Sequence, residues 1–269
     1  MITFKKLGRY GNLGNTLFQY CTLLGVGSKL EYDVKIPNNP TYYEHSYENY
    51  NYSIFDGFNI PTEILSSTDI IETEYDYRGH VYDDNIFTIK DNTNLKGYFQ
   101  CEKYFNFCRD IILNNLEFKQ ETCKESDKLF DSLDINPNET TSIHVRRGDY
   151  LKKTKYHPVQ PTSYFTEAIK KCDTNNYLFF SDDIDWCKRV FGKNKRVFFS
   201  ENNSPFVDLL SMSKCKNNII VNSSFSWWGG WLNKNPDKIV VAPTNWFGPS
   251  GIKRGYNDRD IIPETWIKI

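Results

Sequence analysis

The second half of the chain alternates short apolar runs with amphipathic stretches. Residues 142–146, 177–181, 196–199, 218–221 and 238–242 are apolar runs of buried-strand length. Helices are expected between them, from about 163 to 172, over 184–190, to about 213 after Ser204-Pro205, and over 225–232. Ser204 and Pro205 supply an N-cap and a first-turn proline. Strands alternating with helices predict crossover units and a parallel sheet covered on both faces. Such sheets bind ligands at the carboxyl ends of their strands. The polar residues of this half collect there: Arg146-Arg147-Gly148-Asp149, Asp182-Asp183, Asn222-Ser223-Ser224 and Pro243-Thr244-Asn245-Trp246 each follow a strand.

The first half is less regular. Residues 2–4 read as a strand, 8–15 as a glycine-rich loop, and 16 to about 30 as a helix with Leu17, Cys21 and Leu24 on one face. Gly25 and Gly27 weaken that helix by about 1 kcal/mol each relative to Ala. Residues 95–99 read as a strand and 102 to about 116 as a helix, while the tyrosine-rich stretch 42–58 lacks periodicity and is expected as loops. Strand–loop–helix at both ends suggests a second Rossmann-like unit. The polar, proline-containing break at 134–139 sets the expected boundary, giving domains 1–138 and 139–269.

Composition narrows the class. With 269 residues, 39% hydrophobic and 25% charged, the chain has an ordinary globular make-up, which excludes collagen-like, coiled-coil and wholly disordered chains. No apolar run reaches the roughly 18 residues of a membrane span, and the first residues lack the long apolar stretch of a signal peptide. The cysteines number seven, an odd count with no Cys-x-x-Cys, which points to reduced thiols in a cytoplasm. The sequons at Asn51, Asn138, Asn202 and Asn222 then carry no glycosylation meaning. Residues 1–138 hold 13 Lys and Arg against 21 Asp and Glu, and residues 139–269 hold 20 against 13. That asymmetry suggests a basic half that receives an anion, although drift of surface charge would look the same.

The motifs are more specific. Alternate residues of a strand share a face, so Ile143 and Val145 pack one way while His144 and Arg146 point the other. Adjacent arginines before a glycine turn call for an anion, and guanidinium forks suit a diphosphate; a structural pair with Asp149 is the alternative. His144 reads equally as a satisfied sheet-edge histidine or a ligand contact. In 222–231, hydroxyl residues between a buried strand and a helix offer N–H groups and hydroxyls to a phosphate, or simply cap the helix; the three tryptophans read as core. Asp183-Ile184-Asp185 and Asp258-Arg259-Asp260 match an Asp-x-Asp metal pattern, yet acids in a first turn more often answer the helix dipole. Gly8, Gly11 and Gly14 do not make the dinucleotide fingerprint. Gly-x-Ser-x-Gly, P-loop and zinc spacings are missing, as is the basic–aromatic run of a nucleic-acid binder.

Residues 144–150, His-Val-Arg-Arg-Gly-Asp-Tyr, together with 180–183 and 222–228, resemble the α-1,2-fucosyltransferases of glycosyltransferase family 11. Residues 11–20 resemble that family's Gly-x-x-Gly-Asn-Gln-Met-Phe-Gln-Tyr signature, with Thr16 and Leu17 in place of Gln-Met, and 97–105 form a fifth block. The blocks run in family order from residue 8 to about 247. The resemblance implies an α/β fold of GT-B type, two Rossmann-like domains with parallel sheets facing across a cleft. Domain 1–138 would be the acceptor side and 139–269 the donor side, with the last residues packing back on the first domain. It implies inverting transfer of L-fucose from GDP-L-fucose to a glycan hydroxyl such as O-2 of galactose, with no metal or other cofactor. Arg146 and Arg147 would hold the donor diphosphate and stabilise leaving GDP. Asn222, Ser223, Ser224, Phe225 and Ser226 would surround its phosphates, and His144 with Asp182 or Asp183 would lie near guanine. Asp149 would act as base or orient the arginines, and Gly11, Asn12, Gly14 and Asn15 would form an active-site loop. The implied partners are a nucleotide sugar and a glycan acceptor, without nucleic acid, in a cytoplasmic protein at most peripheral to a membrane. The rival readings are another nucleotide-sugar donor, a non-catalytic binding protein, and a metal enzyme built on Asp183-Ile184-Asp185.

Overall fold

The computed structural model describes residues 1–38 and 52–269; Asn51 and most of the tyrosine-rich stretch expected as loops lie outside the described residues. Two compact units emerge: Met1–Lys119 with Asn257–Pro263, and Gln120–Tyr256 with Glu264–Ile269.

In the first unit the elements are β1 (Ile2–Thr3), α1 (Leu13–Leu30), β2 (Val34–Ile36), α2 (Ile54–Gly57), β3 (Glu63–Ile64), β4 (Thr73–Asp76), β5 (Thr93–Lys96) and α3 (Arg109–Asn115). Its sheet runs β3-β2-β1-β5-β4, every neighbouring pair parallel. The second unit continues with α4 (Gln120–Leu133), β6 (Thr140–Val145), α5 (Thr162–Lys171), β7 (Asn176–Ser181), α6 (Ile184–Phe191), β8 (Val197–Phe199) and α7 (Pro205–Lys214). Then come β9 (Asn217–Ile219), α8 (Ser224–Leu232), β10 (Val240–Ala242), α9 (Pro249–Lys253) and β11 (Ile267–Lys268). This sheet is also all parallel, in the order β11-β10-β9-β6-β7-β8. Among the described residues, no helix is long and apolar enough to cross a membrane.

Burial on both faces explains the unbroken apolar strands of the second unit. All six residues of β6 are buried. One face packs Ile143, Val145, Phe179 and Ile219 against Phe165 and Ala168 of α5 and Cys187 of α6. Helix α7 packs against α8 and α4. Trp227, Trp228 and Trp231 of α8 are buried core, with Trp228 5.0 Å from Trp227 and 5.2 Å from Trp231 between ring centroids. Gly229 is what lets α7 come so close, since a Cβ there would stand 3.0 Å from the Met212 Cβ. Helix α7 starts as its sequence says, with Ser204 Oγ accepting from the Val207 N–H and Pro205 in the first turn.

Four expectations change. The boundary falls after Lys119 rather than at 138, because α4 buries Leu129 and Phe130 and joins α7 through Ser126 Oγ and Ser211 Oγ at 2.9 Å. The polar break at 134–139 is a turn inside the second unit. The helix expected over 102–116 breaks into 3-10 turns, Glu102–Tyr104 and Asn106–Cys108, before α3. Packing overrides propensity there, for the rings of Tyr104 and Phe105 are both buried. Strand β5 ends at Lys96 because Gly97 takes φ 155° and Phe99 takes φ 51°. A left-handed phenylalanine costs on the order of 1–3 kcal/mol. Its buried ring recovers that cost against Phe4, Tyr75, Tyr77 and Tyr104, at 6.2, 6.5, 5.9 and 5.6 Å. The tail divides as well: Asp260 accepts from the Tyr82 N–H and Lys103 Nζ in the first unit, whereas Ile267–Lys268 pairs with β10 in the second.

Truncating Trp227 to Ala removes a fully buried indole, and is expected to cost about 3–5 kcal/mol. Chemical denaturation of the variant against the parent measures it; a loss below about 1 kcal/mol would contradict the packing described.

Candidate active site

The second sheet has one topological switch point. From β6 the chain builds outward through β7 and β8, then returns to place β9, β10 and β11 on the other side. Ligands of open parallel sheets settle in the crevice this reversal leaves at the strand ends. The loops flanking it are the two richest in unusual residues, 146–149 after β6 and 222–223 after β9. Tyr150 ties them together by donating from its hydroxyl to the Asn222 carbonyl at 2.8 Å, and Gln160 Nε2 donates to Asn222 Oδ1 at 3.0 Å.

Both arginines stand at that edge, each 18% exposed, among three carboxylates. Arg146 donates from Nε and Nη2 to Asp149 Oδ1 at 3.1 and 2.8 Å, while its Nη1 pairs with Asp182 Oδ2 at 3.1 Å. All three nitrogens of that guanidinium are engaged. Arg147 is held differently. Its backbone N–H donates to Asp182 Oδ1 at 2.9 Å, its Nε donates to Asp183 Oδ2 at 3.0 Å, and its guanidinium lies 4.2 Å from the centre of the Trp186 ring. Neither Nη of Arg147 has a partner among the described residues. So carboxylates of the fold itself balance both half-buried arginines, and of the two only Arg147 keeps donors to offer.

That arrangement gives Asp149, Asp182 and Asp183 partners within the fold. Asp182 and Asp183 are spent on the arginines, and Asp183 Oδ1 also caps α6 by accepting from the Trp186 N–H at 3.2 Å. The Asp-x-Asp resemblance at 183–185 is therefore a helix cap, and among the described residues no three His, Cys, Asp or Glu side chains gather to hold a metal. Asp149 carries Arg146 on one oxygen and Lys153 near the other at 3.8 Å, which makes it a brace.

Across the switch point, α8 begins with no side chain capping it, because the Ser223 hydroxyl does not bond its first turn. The first N–H groups of a helix have no partner within it and carry the positive end of its dipole. Ser224 and Phe225, both partly exposed, sit in that turn. Ser226 is different from its expectation: it is fully buried, and its hydroxyl is spent on the carbonyls of Val221 and Ser223. Asn222 is buried too, donating from Nδ2 to the Trp246 carbonyl at 3.2 Å. These two build the loop with Ser223, which is also buried; Ser224 and Phe225 are its partly exposed face.

Two titratable groups, His144 buried and Asp208 half-buried, follow on this sheet edge. His144, on β6, packs its ring 5.6 Å from Phe225, and its Nδ1 is buried with no hydrogen-bond partner. Burial, reinforced by the Arg146 charge, lowers its pKa to about 3, so it is neutral. Asp208 was not singled out from sequence. It lies in the first turns of α7 after β8, where burial raises its carboxyl to about 7 despite the 2.6 Å hydrogen bond it accepts from Ser200 Oγ. In sequence it looks like any acid answering a helix dipole, and only its surroundings mark it. Trp186, which stacks on Arg147, gave no signal either.

In the first unit, Asn12 is the N-cap position of α1, and Gly14 and Asn15 belong to the helix rather than to a loop. Gly11 requires its glycine: φ is 86°, and an added Cβ would meet Asn15 Nδ2 at 1.9 Å.

Comparison with known proteins fits this geometry. Residues 10–269 match Glycosyl transferase family 11. An O-antigen biosynthesis glycosyltransferase WbnK of Escherichia coli is 34% identical over 194 residues, covering 67% of this chain and 62% of that protein. An alpha-1,2-colitosyltransferase of Escherichia coli is 34% identical over 200 residues, covering 68% and 64%. The chain thus spans less than two thirds of the length of these curated relatives. Among solved structures, POFUT1 in complex with GDP-fucose superposes with a TM-score of 0.58 at 11% identity, over 90% of this chain and 97% of that one. The shared fold is the GT-B type, built on two parallel-sheet α/β units.

Asp208 makes stability pH-dependent in a definite direction. Its folded pKa lies above the unfolded value, so the parent loses stability as pH rises from the ordinary carboxylate value to about 7. Asp208→Asn removes that loss, and urea unfolding at pH 5 and pH 8 should show the variant gaining on the parent at the higher pH. An unchanged difference between the two pH values would refute the buried carboxyl. In the same range, NMR of the His144 imidazole should show no titration between pH 5 and 8.

Proposed function

The chain belongs to glycosyltransferase family 11, and from that premise we propose that it transfers L-fucose from GDP-L-fucose to a glycan hydroxyl, with inversion and without a metal. One observation carries the reading: at the switch point, a guanidinium fixed by Asp183 and Trp186 keeps both Nη groups open, on the same edge as an uncapped helix N-terminus. That is a receptor for a diphosphate.

The chemistry follows from where charge develops. As the glycosidic bond to the β-phosphate breaks, negative charge builds on the departing oxygens and positive charge on the sugar. Arg147 and the N–H groups of Ser224 and Phe225 are donors already in place, so they stabilise that charge without reorganising. Arg146 works through position. Its three engaged nitrogens hold the loop, and Asp149 orients it rather than moving a proton. In this reading the base is met by His144 on β6 and by Asp208 in the first turn of the helix after β8, two strands away on the same sheet edge. A nucleobase presenting two N–H donors, as guanine does through N1 and its 2-amino group, would favour the ionised form of Asp208. Adenine lacks that pair and would leave the carboxylate buried and unanswered. The acceptor in this reading is a galactoside reacting at O-2. A second donor is favoured by one relative: likeness to the colitosyltransferase makes activated colitose the rival sugar on the same acceptor position.

A donor panel of GDP-fucose, GDP-mannose, activated colitose and UDP-sugars, assayed for transfer to lactose with and without EDTA, tests the proposal. Transfer from GDP-fucose that persists in EDTA is expected; strict dependence on a divalent ion, or use of UDP-sugars alone, would defeat it. Arg147→Ala should lower kcat by about 10²–10³-fold with an unchanged unfolding midpoint. Arg147→Lys should restore little, because lysine cannot both stack on Trp186 and reach with two donors.

A further inference from the structure

A glycan hydroxyl that attacks the donor sugar must give up its hydrogen, and a base positioned to take it contributes about 10²–10⁴-fold. The carboxylates at the switch point of the second sheet are already engaged. Asp182 and Asp183 meet the arginines, and Asp149 meets Arg146 and Lys153. His144 is buried, with its pKa lowered to about 3, and is too weak a base at neutral pH. Asp208 follows β8, two strands from β6.

His157 is the exception. It lies half-buried in the loop after β6, and among the described residues neither of its ring nitrogens has a hydrogen-bond partner. Its ring stacks on Tyr150 with centroids 4.9 Å apart and planes 22° apart, and Phe247 of the loop after β10 stands 6.5 Å away on a tilted plane. Backbone hydrogen bonds fix this place. The His157 N–H donates to the Lys153 carbonyl at 2.9 Å, while the carbonyls of Tyr156 and Lys155 accept from the N–H groups of Gly248 and Ser250 at 2.7 and 2.8 Å. Gly248 allows that approach, for a Cβ there would stand 2.5 Å from the Lys155 carbonyl oxygen. The Tyr150 hydroxyl reaches the Asn222 carbonyl, so the imidazole is tied to both loops of the switch point through the ring on which it stacks.

We propose that His157 is the general base that takes the acceptor's proton, a reading that rests on the transferase assignment above. The acceptor oxygen bonds to the anomeric carbon as the bond from that carbon to the β-phosphate oxygen breaks. The electron pair of the broken bond leaves with GDP, where Arg147 meets it, and the hydroxyl proton passes to an unpartnered nitrogen of His157. The surroundings suit that task. Burial lowers the imidazole pKa below its ordinary value, Asp149 opposes that shift, and Lys153 and Arg146 add to it. From the loops after β9 and β10, residues 222–233 and 243–252 bring no charged side chain. The ring is therefore neutral at pH 7 and able to accept, and the imidazolium it becomes returns its proton readily to water.

Transfer from GDP-fucose to lactose, both saturating, tests this when kcat is followed from pH 5 to pH 9. The parent kcat should fall as pH drops through a value below 6.5, because protonation removes the base. His157→Gln should lower kcat by about 10²–10³-fold and flatten that limb, while calorimetry returns a Kd for GDP within twofold of the parent. In His157→Gly, added imidazole should recover activity, since the deletion leaves a ring-sized gap beside Tyr150. A histidine that only packs against Tyr150 would carry no pH limb and would not answer to imidazole. The base is overturned if His157→Gln turns over within threefold of the parent, if the limb survives in it, or if imidazole recovers nothing in His157→Gly. The wider reading fails differently: a parent that binds GDP yet transfers sugar from no donor of the panel ends the transferase assignment, and the base with it.

Discussion

Charge balance at the carboxyl end of β6 governs the second unit. Two guanidinium groups on consecutive residues repel each other, and partial burial removes the water that would screen them. Asp149, Asp182 and Asp183 answer that repulsion, so the arginines hold their places before any ligand arrives. Removing one carboxylate from such a cluster would leave a half-buried cation uncompensated, which is costlier than the cluster's own net worth. The five residues also divide labour by count. Arg146 has two carboxylates within reach and becomes a brace; Arg147 has one at its side chain and keeps its outward nitrogens.

His144 and Asp208 add two groups whose pKa shifts oppose each other. A histidine whose folded pKa is near 3 makes stability rise with pH up to the ordinary imidazole value. A carboxyl raised to about 7 makes it fall over much of the same range. Their effects on the fold partly cancel. The two residues themselves differ in state, the histidine neutral and the carboxyl near its midpoint at neutral pH.

Much of the second unit was legible in the sequence because buried parallel strands leave a simple trace. Each of its apolar runs became part of a strand, and each expected helix formed within a few residues of its bounds. Arg146 and Arg147 were legible as an oddity, yet which carboxylates would meet them was not, since Asp182 and Asp183 lie 35 residues and more away along the chain. Ser226 misled because hydroxyl residues look alike until burial separates the ones that build a loop from those that present it. Asp208 was invisible for the converse reason: an acid near a helix start is ordinary until its solvent is taken away. In the first unit, short strands and left-handed turns at Gly97 and Phe99 ended periodic signals early, so aromatic packing that no local pattern encodes decided the outcome.

The divided tail bears on how the protein is made. Residues 257–263 complete the first unit and 264–269 supply the edge strand of the second, so the first unit is finished only by residues made after the second unit's strands up to β10. Folding during synthesis generally proceeds from the N-terminus, domain by domain. Here the first sheet waits, with Tyr82 and Lys103 lacking Asp260, until most of the second unit has been made. Completion of the first unit is thereby tied in time to synthesis of the second.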